Sequence, residues 1–157
     1  KGESFPIGKI YEEYFVLYRV FEKNKSNCYF CNEALYYYRE RKSSITHTQK
    51  AYIYIKEPFI KLLALARDKY PEIIPALSAS YAFTLLGVFD TFVKNGYLPK
   101  TVGCDLRKEI LLNYKSAAEF STSKSRRAQL FVFKYFPMLY KLAYKFYKQK
   151  MNNNLFD

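Results

Sequence analysis

Hydrophobic and polar positions along this chain alternate mostly with the 3.6-residue period of helices. Ile10, Tyr14, Leu17 and Phe21 follow i, i+4, i+7, i+11 spacing, which predicts a helix over 10–23 with one apolar stripe. Asn24 to Asn27 is a polar break. Cys28–Cys31 and Ala34–Arg41 are short and aromatic-rich, and read as two strands separated by Asn32-Glu33. Lys42 to Thr48 is a Ser/Thr loop. A helix over 49–69 follows, expected to bend near Pro58, which has no amide hydrogen to donate. Pro71 opens the next helix, and Asn95-Gly96 ends it with Gly as the C-terminal cap. Leu98–Gly103 reads as a loop, Asp105 as the cap of a short helix reaching Tyr114, and Ser116–Ser125 as a small polar joint. One last helix is expected over 126–150. The fold class is therefore mainly α (α+β): an N-terminal helix, a short two-stranded β element, then a helical bundle. The expected division is 1–48 and 49–157.

Composition sharpens this picture in several ways. With 17 Tyr, 14 Phe and no Trp among 157 residues, the chain is rich in rings that pack while a hydroxyl stays wet. Only 5 Gly and 6 Pro leave few turns, which again favours helices. The formal charge of +12 suits an anionic partner: nucleic acid, an acidic membrane surface or a phosphorylated small molecule. Half of the residues are hydrophobic, which excludes general disorder. Cys28, Cys31 and Cys104 are too few for a disulfide framework and suit a reducing, cytosolic setting. Cys28 and Cys31 have C-x-x-C spacing, yet only His47 is at hand to join them, so packed or idle thiols are expected rather than zinc. The uncharged run Ile73–Phe89 falls short of a comfortable membrane span, and reads as a buried core helix. The chain begins Lys1-Gly2-Glu3 without an initiator Met and is expected to be a piece of something longer.

Two groups of residues carry candidate chemistry. Glu12 and Glu13 are adjacent acids on an apolar helix, about 100° apart around its axis. Glu13 shares a face with Val16, Leu17 and Val20, where partial desolvation would raise its proton affinity and suit general-base work. The alternative is a solvated pair with Lys9. Arg39 and Arg41 alternate along the second expected strand and emerge on one face, followed by Ser43, Ser44 and Thr46. Two guanidinium forks there suit a diphosphate, or else form a solvated strand end.

These blocks, in order, resemble a known family. The stretch Phe5-Pro6-Ile7-Gly8-Lys9-Ile10-Tyr11-Glu12-Glu13 is similar to the segment leading into the acidic motif of family 2 glycosyltransferases. Leu35-Tyr36-Tyr37-Tyr38-Arg39-Glu40-Arg41-Lys42-Ser43-Ser44-Ile45 is similar to that family's tyrosine-arginine strand and Ser-Ile turn. The resemblance implies that 1–48 is the acceptor-side end of a GT-A-like, inverting catalytic domain. It gives Glu13 the catalytic base's place and Glu12 that of a supporting acid. Arg39, Arg41 and Ser44 would lie by the diphosphate of a nucleotide-sugar donor. The family commonly has Asp where Glu13 stands, and the extra methylene displaces the base. The four Asp residues form no D-x-D motif, and no strand–helix alternation builds a nucleotide-binding half. The implied enzyme would hold Mg or Mn and act on a saccharide or lipid-linked acceptor in cell-surface polysaccharide synthesis. This chain alone would hold no cofactor and would be inactive.

The C-terminal quarter gives a second expectation. Eight cations, Lys124, Arg126, Arg127, Lys134, Lys141, Lys145, Lys148 and Lys150, lie between 124 and 150 with no acid among them. On one helix, Lys134, Lys141, Lys145 and Lys148 would form a ridge, with Phe131, Tyr135, Leu139, Leu142 and Phe146 on the remaining surface. Such a helix either packs against its neighbours or lies in a membrane interface with its lysines on head groups. Peripheral contact with the inner face of the cell membrane through 124–150 would suit the transferase. The rival class is a non-enzymatic basic helical module binding nucleic acid or anionic membrane. Core-like spacing of the aromatics argues against nucleic acid. A purely structural domain is the third class.

Overall fold

The computed structural model describes residues 13–23, 29, 31–37, 50–121 and 123–153, apart from side chains at 15, 21, 22, 50–53 and 147–153. It is mainly helical. Among the described residues there are seven α-helices and no strand: α1 (Glu13–Lys23), α2 (Lys50–Lys69), α3 (Ile74–Lys94), α4 (Lys100–Leu112), α5 (Tyr114–Phe120), α6 (Lys124–Tyr135) and α7 (Pro137–Asn153), with a 3-10 turn at Pro71–Ile73. The chain divides into two compact units, Lys1–Ile60 and Lys61–Asp157.

In the first unit, α1 carries Glu13 in its first turn and Lys23 in its last, signs that complement the helix dipole. Val16 is buried and the Tyr14 ring lies 5.1 Å from that of Phe59, whereas Leu17 of the expected stripe is half exposed. Ile55, Pro58 and Phe59 are buried, and α2 runs through Pro58 without interruption. The expected two-stranded β element is not supported. Residues 31–37 form no strand and are all exposed, Tyr37 at 96%. The Leu35 amide donates to Glu33 O at 3.0 Å, a local turn bond instead of a ladder bond. Aromatic composition favours a strand only where a neighbouring strand and a buried face exist, and here both alternating sets face water. The GT-A-like architecture has no support in the described part; residues 1–12 and 38–49, which carry most of that expectation, lie outside it.

In the second unit, α3 is the element that the others meet: α4, α5 and α7 all pack on it, and α6 packs on α5 and α7. Pro71 and Pro75 occupy helix-start positions, where a missing N–H costs nothing. The end of α3 is a Schellman turn: Tyr97 N–H donates to Phe92 O (3.1 Å) and Gly96 N–H to Val93 O (3.2 Å). Gly96 holds φ at +69°, a conformation costly for any residue with a Cβ. Nine residues of α3 are buried, among them Leu85, Leu86 and Phe89, joined in the core by Leu106, Ile110, Ala117, Leu130, Phe133 and Tyr140. By length and composition α3 is also the one helix among the described residues fit to cross a membrane.

Three expected boundaries move. The loop expected at Leu98–Gly103 is shorter, because α4 starts at Lys100 and not at Asp105. Pro99 supplies the extended entry (φ −57°, ψ 138°), and its carbonyl accepts from Gly103 N–H at 2.9 Å. The joint expected at Ser116–Ser125 is mostly helix α5, whose small residues let it approach α3, with Ala117 fully buried. The real break is at Ser121–Ser123, where Arg127 Nε holds Ser121 O at 2.8 Å.

The largest correction is at Pro137. The single helix expected over 126–150 is two, broken at Phe136 (φ −130°, ψ 59°). Proline at 137 disfavours helical geometry at 136 and deprives Phe133 O of its i+4 donor. Arg107 of α4 replaces it. Its Nη1 donates to Phe133 O at 2.6 Å and its Nη2 to Lys134 O at 2.9 Å, with the guanidinium 5.5 Å from the Phe133 ring centroid. Arg107→Ala is therefore expected to destabilise the second unit by about 2–3 kcal/mol, and Arg107→Lys by nearly as much, because an ammonium does not reproduce the fork. Denaturant midpoints at unchanged slope check this; a Lys variant as stable as the parent contradicts it.

Candidate functional site

Beyond the break α7 packs on α3, and the rotation of the helix sorts its residues by direction. Successive residues lie 100° apart, so Tyr140 and Tyr144 fall on one side while Met138, Leu142, Phe146 and Leu139 span an arc of about 100° on the other. The first side packs. Tyr140 is buried, with its ring 5.1 Å from Phe133 and 6.2 Å from Phe89. The second side is bare: Met138 is 82% exposed, Phe146 68%, and Leu139 and Leu142 more than half. Phe131, Tyr135 and Phe136 on the other side of the break are also about half exposed, with the Phe131 ring tilted against those of Tyr135 at 4.8 Å and Phe136 at 6.4 Å. Lys145 and Lys141 lie 20° and 60° beyond the Met138 edge, by the same rotation.

What holds α7 in this orientation is a polar cluster inside the second unit. Tyr140 Oη donates to Asp90 Oδ1 at 2.6 Å. Gln129 Nε2 donates to Asp90 Oδ2 at 3.1 Å and to Tyr140 Oη at 2.8 Å. Helices α3, α6 and α7 thus meet at one buried carboxylate. Burial of the phenol, then the charge of Asp90 and its hydrogen bond, push the Tyr140 hydroxyl well above its ordinary titration range. The group stays a neutral donor.

Beside the bare stripe is a half-open cleft of about 240 Å³. Phe92, Val93 and Gly96 from the end of α3, Leu98 from the following segment, and Lys141, Leu142 and Lys145 from α7 line it. Lys141 Nζ sits 5.8 Å from the Phe89 ring centroid. Two cations thus border an apolar wall, and no carboxylate is among the lining residues.

The residues singled out in the sequence fare differently. Glu13 is exposed at the start of α1, so the desolvation expected for it is not found; Val16 is buried, whereas Leu17 and Val20 are exposed. Glu12, Arg39, Arg41, Ser44 and His47 lie outside the described residues, as does Cys28. Cys31 and Cys104 are exposed free thiols, and no group of three His, Cys, Asp or Glu side chains among the described residues suits a metal ion. The expected lysine ridge does not form as one line. Lys134 belongs to α6 and lies 4.1 Å from the Tyr114 ring centroid and 5.0 Å from that of Tyr135, while Lys141 and Lys145 belong to α7. Asp90, Gln129 and Tyr140 were not among the candidates. The available signal was an acid closing the long uncharged run of α3, since such a group has to find donors when buried.

Comparison with protein-family models, with curated proteins and with solved structures gives no match to this chain.

The cluster predicts a pH effect with a definite sign. The folded Tyr140 keeps its proton at pH values where the unfolded one, at its ordinary 10.0, releases it. The folded state then binds more protons, so this contribution is intact below about pH 10 and declines above it, by up to about 1.4 kcal/mol per pH unit. Tyr140→Phe should lower stability by about 1–3 kcal/mol at neutral pH and flatten the alkaline slope relative to the parent. Equal slopes for the two proteins between pH 9 and 11 would overturn this reading.

Proposed function

We propose that the α6–α7 limb binds an anionic membrane surface as a peripheral contact. The observation that carries this reading is the exposed apolar stripe of Met138, Leu139, Leu142 and Phe146, edged by Lys141 and Lys145 within a segment devoid of acids. An interfacial helix needs that division: apolar side chains at the acyl boundary and cations at head-group level. With half or more of each apolar side chain already facing water, each contributes on the order of 1 kcal/mol on transfer, and each lysine about as much near an anionic surface. A total of roughly 6 kcal/mol corresponds to a dissociation constant of tens of micromolar, enough for reversible attachment. The cytoplasmic leaflet, where anionic lipids concentrate, is the surface this chemistry fits.

Sedimentation with lipid vesicles tests the proposal. The protein should pellet with phosphatidylserine-containing vesicles, remain free with pure phosphatidylcholine, and release as salt rises well above about 0.1 M. Leu139→Asp with Phe146→Asp should abolish pelleting without altering the circular dichroism or the melting temperature, since both side chains face water. Pelleting unaffected by the double substitution, or tighter salt-sensitive binding to single-stranded nucleic acid than to vesicles, would replace the membrane by another partner.

The glycosyltransferase reading stands as a separate proposal about residues 5–45, carried by the order of the two motifs that resemble family 2. It assigns Glu13 as base, Glu12 as its support, and Arg39, Arg41 and Ser44 to the diphosphate, with a divalent cation and a nucleotide-binding half supplied from elsewhere. Peripheral attachment through α6–α7 is compatible with it, because such an enzyme meets lipid-linked acceptors at a membrane surface. In the natural polypeptide that carries this chain, Glu13→Ala should reduce sugar transfer at least about a hundredfold, as loss of a general base does. Transfer at the parent rate removes Glu13 from the chemistry.

A further inference from the structure

We infer that the cleft between the end of α3 and α7 is a binding site for one anionic lipid head group, taking the phosphate on Lys141 and Lys145 and the first apolar atoms of the lipid on Phe92, Val93, Leu98 and Leu142. The inference deepens the membrane reading, on which it rests for its choice of lipid as the source of the phosphate. Four observations carry it. The two ammonium-bearing side chains are four residues apart on α7, one turn of helix, so both border one opening. The other side chains of the lining, those of Phe92, Val93, Leu98 and Leu142, are apolar, and polar and apolar atoms share its exposed surface about equally. A free inorganic anion has no use for such a wall, whereas a glycerol and its first methylenes do. The volume of about 240 Å³ is below the roughly 300–1,000 Å³ of sites that enclose a whole drug-sized ligand. It suits a head group whose chains continue outside. Leu142 belongs both to the cleft and to the bare stripe, so those chains would leave toward the surface that faces the bilayer.

One feature works against an anion here. The C-terminal end of α3 carries a partial negative charge, equivalent to about half an electron. The carbonyls of Phe92 and Val93 are, however, already engaged by the amides of Tyr97 and Gly96, and two full positive charges stand against that half charge. The cations prevail.

A monomeric lipid separates this site from membrane attachment in general. Dihexanoyl phosphatidic acid, kept below its micelle concentration, should bind the full chain in a calorimetric or NMR titration. Lys141→Ala with Lys145→Ala should weaken that binding by about twenty-fivefold, roughly fivefold for each lysine. Lys108→Ala with Lys115→Ala removes the same charge from exposed positions on α4 and α5 outside the cleft and outside the α6–α7 limb, and should change the affinity by less than about twofold. Equal weakening by both pairs would reduce the effect to net charge and overturn the inference. Inorganic phosphate binding as tightly as the lipid would overturn it too, because the apolar wall would then contribute nothing. Failure of this inference is distinguishable from failure of the membrane reading. Vesicle pelleting without monomer binding removes the cleft alone. Monomer binding that survives while vesicles never pellet keeps the cleft and removes the membrane face.

Discussion

A carbonyl that proline leaves without a donor, and the arginine that takes it up, determine the shape of the C-terminal half. Pro137 has no N–H for Phe133 O, and an orphaned carbonyl next to a buried ring costs about as much as a lost hydrogen bond. Arg107 spans 2.6 and 2.9 Å to two successive carbonyls at the end of α6, where a cation is also favoured by the helix dipole. The chain is thereby free to turn at Phe136 without exposing an unsatisfied helix end. Everything that follows on α7, including which residues are buried and which are bare, depends on that turn.

The turn is locked by a second polar device. Burying a carboxylate is costly unless donors surround it, and Asp90 has donors from Tyr140 and Gln129. Because those donors come from different helices, the same bonds that stabilise the charge also fix how α6 and α7 lie on α3. The aromatic cluster of Phe89, Phe133 and Tyr140, with near-perpendicular Phe89–Phe133 and Phe133–Tyr140 pairs at 5.0 and 5.1 Å, packs around the same point. Specificity of orientation comes from the polar bonds and most of the stabilisation from the rings. A purely apolar contact would leave the rotation of α7 less determined, and the exposed stripe with it.

Local signals were legible in the sequence where local chemistry decides the structure. The helix that ends at Asn95-Gly96 was readable because only glycine adopts φ +69° without strain, and the buried character of 73–89, which the structure shows from Ala79 onward, because the run lacks charge. Signals failed where a distant partner decides. Cys28–Cys31 and Ala34–Arg41 have strand composition, but 31–37 has no neighbouring strand among the described residues. Ser116–Ser125 looks like a joint until α3 is there to receive Ala117. Arg107 gives no sign in the sequence that it serves residues 26 and 27 positions away. Of the candidate site, the basic and aromatic character of 124–150 was readable, whereas the cleft was not, because Phe92 and Lys141 meet only after the chain turns at Pro137.

The spacing of the large apolar side chains along 130–146 sorts them into two groups. Even on one uninterrupted helix, Phe131, Tyr135, Leu139, Leu142 and Phe146 would fall within about 80° of one another, and Leu130, Phe133 and Tyr140 within about 80° on the opposite side. The break keeps that division while it places α7 against α3, so that Leu130 and Phe133 of α6 and Tyr140 of α7 are all buried. The remaining large apolar side chains are then left outward by geometry, with Lys141 and Lys145 at their border. Packing alone gives no reason for them to be apolar, since polar residues at those positions would satisfy the same core. A cost in exposed apolar surface that the fold does not need is the mark of a surface with a partner, and the lysines beside it specify an anionic one.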